Sequence, residues 1–173
     1  MATMERSTVR SATGHWVTQG IIGGVVAGII FAMFEMITAA LLMGAPAFWM
    51  PLRMIGAIVL GPDALEASYP LVTAGLTGVV VHMVLSMMFG AAFGLLVANV
   101  PSLARSTGAI VIGATAFGFL LWVVNFYVLA PIFGWDWFPT QTNPIQQFVA
   151  HTFFFGSVLG FYLARMKPTH ART

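Results

Sequence analysis

Cysteine is absent from the 173 residues, which excludes disulfides, thiolate metal sites and thiol catalysis. Charge is scarce as well. Only 7% of residues are Asp, Glu, Lys or Arg, against roughly 25% in soluble domains, too few to clothe a water-exposed surface. The formal net charge of +2 comes without a basic face or an arginine-rich run, so nothing points to a nucleic-acid partner. Also missing are G-x-S-x-G, a P-loop, G-x-G-x-x-G, H-E-x-x-H and any aqueous domain to hold a substrate, and the expectation is a protein that is not an enzyme.

Apolar residues dominate instead, at 59% with a mean hydropathy of +0.92, in runs long enough to cross the ~30 Å hydrocarbon layer. Four spans are expected, at about 20–43, 71–98, 107–130 and 145–164, within a single membrane domain covering 1–173. Gly44 and Pro46, Pro70, Pro101, Pro131 and Pro144 punctuate them. Arg6 and Arg10, Arg105, and Arg165, Lys167 and Arg172 share one side. The opposite loops carry only Arg53 among the basic residues, with Asp63, Glu66 and Asp136. The excess of Lys and Arg predicts that both termini are cytoplasmic. Ala45-Pro46-Ala47 resembles a signal-peptidase site, but the apolar run before it exceeds a signal sequence's roughly 7 to 15 residues, so the first span is expected to stay.

Residues 48–62, FWMPLRMIGAIVLGP, are too short to span and too apolar for a solvated loop. A short interfacial or re-entrant helix at about 51–61, opening at Pro51, is expected. Trp49, Trp135, Trp137 and Phe138 suit an aromatic belt on the outer side. The fold class that follows is an all-α membrane protein, an antiparallel bundle of four transmembrane helices with this short outer helix. Small residues recur every fourth position in three of the spans: Gly20, Gly24, Gly28 and Ala32; Ala74, Gly78, Ser86, Gly90, Gly94 and Ala98; Thr152, Gly156, Gly160 and Ala164. Such faces let helices approach closely, inside the bundle or in a homo-oligomer. The other expected partner is the lipid bilayer.

Polar groups in hydrocarbon call for explanation, because an ionised one at the centre costs roughly 2.5 to 3.5 kcal/mol. Each span has one: Glu35, His82, Asn125 and His151. At ~1.5 Å per residue from the outer ends they lie roughly 12, 17, 8 and 9 Å deep, so all fall in the outer half or near the midplane. His82 fills the gap in the Gly78, Ser86 row, and Glu35 projects two turns after Gly28. Three readings stay open. The four residues are interhelical hydrogen-bond partners that fix register; or the carboxyl and imidazoles form a proton-linked site for transport or sensing of protons or a small solute; or His82 and His151 bind a metal ion or haem, as in a redox-complex subunit, with Glu35 nearby. No cofactor is the leading expectation, since no His pair stands at i+3 or i+4. Ser86, one turn from His82, is a supporting candidate. Arg53 is another, if it reaches inward to neutralise Glu35. His15 and His170 read as solvated tail residues.

The stretches GVVVHMVLSMMFGAAFGLLVANVPSLA and QQFVAHTFFFGSVLGFYLAR resemble the YagU-type bacterial inner-membrane proteins, a family defined as a domain of unknown function. The resemblance covers about half the chain and leaves out the first span. It implies a small polytopic protein of the bacterial inner membrane and no particular chemistry.

Overall fold

A computed structural model describes residues 2–167, with side chains described from residue 12 onward. Among the described residues there is no strand. Four helices are long and apolar enough to cross a membrane: Ala12–Met43, Leu71–Asn99, Thr107–Phe133 and Pro144–Arg165. Of the residues used for orientation, Arg172 lies outside the described residues, as does His170, and Arg6 and Arg10 are described as backbone alone.

The first span starts earlier than expected, because its helix runs unbroken from Ala2 to Met43. The polar residues around His15 lower hydropathy but include no proline, and Trp16 beside them is buried against the second span. His15 is not merely solvated: its Nε2 bonds the Met166 carbonyl at 2.9 Å. The third span continues past Pro131 to Phe133. A π-helical turn at Asn125–Leu129 precedes that proline, and a widened turn accommodates a ring that would otherwise clash with the carbonyl four residues back. Gly134, with φ 72°, then ends the helix, and Trp135 N–H donates back to Ala130 O at 2.8 Å.

Two pairs of spans are locked by backbone contact. Gly20 and Gly24 of the first span face Ser86, Gly90 and Gly94 of the second so closely that a Cβ on Gly24 or Gly90 would collide with the opposing main chain. Gly118 of the third meets His151 O and Gly156 of the fourth in the same way. The small-residue faces are therefore consumed inside the chain. The first span lies between the second and the fourth, with the third outside the fourth, while the second and third scarcely touch. Ile29, Leu41, Val72 and Ile112 face outward, exposed as lipid-facing residues must be.

The expected short helix is Met50–Leu60. It docks on the second span, with Gly78 against Leu52 O and Gly56 against Ala74 O. Trp137 corrects the aromatic-belt expectation. It is buried, and its Nε1–H donates to Met54 O at 3.1 Å, so it ties the two loops at this end together. Trp49 remains 42% exposed, as an anchor would. These two loops mark the far end of the bundle; the chain termini mark the other, the terminal end.

Candidate functional site

Asn143 and Pro144 set the site's geometry from the start of the fourth span. Asn143 Oδ1 accepts from Ile145 N at 2.9 Å and Gln146 N at 3.2 Å, while proline supplies the first helical residue without an N–H to satisfy. The first turn thereby presents Gln146 and Gln147 to the first span. There Glu35 is 5% exposed. Its Oε2 accepts from Gln147 Nε2 at 2.7 Å and from Gln146 Nε2 at 3.1 Å. Its Oε1 is buried and has no partner.

His82 and His151 flank this carboxyl's helix one turn deeper. His82 donates Nε2–H to the Gly28 carbonyl at 2.9 Å, across a seam where Gly28, lacking a Cβ, lies directly against Ser86. His151 donates Nδ1–H to Gln147 O at 2.9 Å. Carbonyl partners accept only, which assigns the proton to those nitrogens and leaves His82 Nδ1 and His151 Nε2 without a protein hydrogen bond. Phe31 lies between the two imidazoles, stacked on His82 at 5.5 Å and edge-on to His151 at 4.8 Å between ring centroids. Phe126 closes the other side of His151 at 5.4 Å.

Three of the four expected cluster members thus come together. Asn125 does not: it is half-buried at the start of the π turn and its amide joins none of these bonds, while Phe126 beside it takes the inward place. Ser86 is buried against Gly28, a packing contact. Arg53 does not reach Glu35. Its guanidinium donates to Ala64 O, Glu66 O and Tyr69 O at 3.0, 2.9 and 3.1 Å, because the loop after its helix turns those carbonyls back over it. Gln146 and Gln147 are the functional candidates that sequence reasoning missed. Two adjacent amides just after a helix-starting Asn-Pro are the available signal, a faint one because neutral amides lack the burial penalty that marks an ionisable group.

The arrangement suits protons better than metals. No three His, Asp or Glu side chains group as metal ligands among the described residues, and the Phe31 ring occupies the space that an ion or haem shared by His82 and His151 would need. Glu35 Oε1 is enclosed by protein atoms, which leaves no open coordination position beside it. Toward the terminal end the interior is apolar, filled by Phe89 against Phe155 and Phe93 against Phe117, with Leu159 and Leu163 fully buried. The next interhelical polar contacts are Thr115 to Ser157 at 2.8 Å and Tyr162 to Gln19 at 3.1 Å. No model of a known protein family, no curated protein and no solved structure matches this chain.

Proposed function

We propose that this chain is a polytopic protein of the bacterial inner membrane, both termini cytoplasmic, in which Glu35 binds and releases a proton from the outer side as part of proton-linked transport or sensing. One observation carries the reading: a buried carboxyl with both amide donors on one oxygen and nothing on the other. Ionised, it leaves Oε1 bare; protonated, it has no acceptor for an O–H placed there. Neither state is fully satisfied, so each carries part of the penalty of a buried unpaired polar atom. A proton is also the one cation that needs no space beside Oε1.

His82 and His151 support the same reading. Each keeps one ring nitrogen unbonded by protein, within one aromatic ring of the other. The orientation rests on Arg105, Arg165 and Lys167 gathering at the terminal end while Arg53 stands among acidic residues at the far end. The resemblance to YagU-type proteins fits the location and adds no chemistry.

A purely structural role is the second reading, favoured by the interhelical bonds that Glu35 and His82 make. Proteoliposomes enclosing a pH-sensitive dye separate the two. Glu35→Gln keeps the side chain's shape and removes its titration. The proposal expects loss of proton flux with the fold retained; equal flux in both proteins favours the structural role.

A further inference from the structure

We propose that the π-helical segment Ala150–Ser157 is a register switch that turns Gln146 and Gln147 off Glu35 and so opens the carboxyl toward the far end. The inference rests on the proton-linked reading of Glu35 and adds the movement that lets a proton reach it. The segment is eight residues long, whereas π-helix usually occurs as single-turn bulges, often at functional sites. Removing one residue's worth of widening turns everything on one side by about 100° and shifts it ~1.5 Å along the axis.

The side that moves is set by packing. Beyond the segment, Val158–Arg165 is anchored: Leu159 and Leu163 are fully buried and Gly160 abuts Val111. Before it, Pro144–Val149 is six residues long and has no fully buried large side chain to fix its rotation: Ile145 is 73% exposed, and the turn is held by the two glutamines on Glu35 and by edge contacts of Phe148 with Phe119 and Trp122. That movable piece carries both glutamines.

Hydrogen bonding supplies the second state. Thr115, in regular α-helix and half-buried against the fourth span, donates its hydroxyl to the carbonyl four residues back, Val111 O at 2.8 Å. Thr152, inside the π segment, does not; its Oγ1 is buried without a partner. Return to α-register gives Thr152 that bond with Phe148 O, while the π register gives Glu35 its two amides. Each register therefore satisfies what the other leaves wanting. The ionisable groups facing the segment are Glu35 from the first span, His82 from the second and the segment's own His151. The third span adds Phe126 there, and its Tyr127 is half-exposed away from the site.

The absence of cysteine makes the test direct. Spin labels at Ile37→Cys and Ile145→Cys, both exposed positions, report the distance between the first span and the movable turn in nanodiscs. Two distance populations are expected, with a ratio that differs between about pH 5 and about pH 8 and that no longer responds to pH in Glu35→Gln. Thr152→Val removes the hydroxyl that rewards the α-register and should shift the ratio about fivefold toward the π form, the weight of one net hydrogen bond. Hydrogen exchange at the amides of residues 146–155 in the unlabelled protein follows the same equilibrium without the cysteines: pH-dependent protection supports the switch. A single population, or protection unchanged by pH and by Thr152→Val, while Glu35→Gln still abolishes proton flux, overturns the switch and leaves the proton-linked reading standing. Flux unchanged by Glu35→Gln overturns both.

Discussion

The terminal half of the bundle and its far half are built on opposite rules. Near the terminal end, glycines bring main chains into contact, aromatic rings and leucines fill what remains, and the polar side chains meeting across helices there pair with one another. At the far end Phe31, Phe126 and two imidazoles share the interior with a buried carboxyl, two helices carry π turns, and the buried Glu35 and Thr152 each keep an unpartnered oxygen. Close packing without strain has one good arrangement, whereas incomplete satisfaction leaves room for two. The first half reads as scaffold and the second as working part.

Substitution should separate the halves in graded fashion. Gly90→Val drives a side chain into the Gly20 carbonyl and the Gly24 main chain; overpacking against backbone that cannot move should cost about 3 kcal/mol or more, seen as failure to purify as folded protein or a large drop in thermal midpoint. Glu35→Leu leaves the Gln146 and Gln147 amides without an acceptor and should destabilise by about 2 kcal/mol, with proton flux lost as well. Arg53→Ala removes three bonds to loop carbonyls and should cost about 1 kcal/mol while leaving flux unchanged, since the guanidinium is not the counter-ion of Glu35. A flux phenotype in that variant would revive the ion pair. Asn125→Ala should stay within about 0.5 kcal/mol of the parent in the same denaturation assay.

Much of the scaffold was legible in the sequence, because hydropathy and small-residue spacing report directly on what lipid and close packing demand. The Gly20, Gly24, Gly28 row and the Gly90, Gly94 row meet as their spacing implied. The start of the first span was not, since a polar turn at a helix end looks like a loop to any hydropathy sum. The working half was legible only in part. Glu35, His82 and His151 stand out as costly residues, yet their grouping around Phe31 depends on helix rotations that composition does not encode. Asn125 stands out by polarity alone, and Pro131, which the π turn accommodates, does not reveal that Phe126 rather than Asn125 turns inward. Gln146 and Gln147, neutral and at a helix start, look like solvated residues in the sequence although Gln147 is buried.

The central claim, that Glu35 exchanges a proton while held by these amides, is tested most directly by infrared difference spectroscopy of the reconstituted protein across a pH step. The account predicts a carboxylic-acid carbonyl signal that appears and disappears reversibly with pH in the parent, is absent from Glu35→Gln, and changes position in Gln147→Leu, where the shorter of the two amide bonds is lost. A parent spectrum indistinguishable from that of Glu35→Gln at every pH would contradict it.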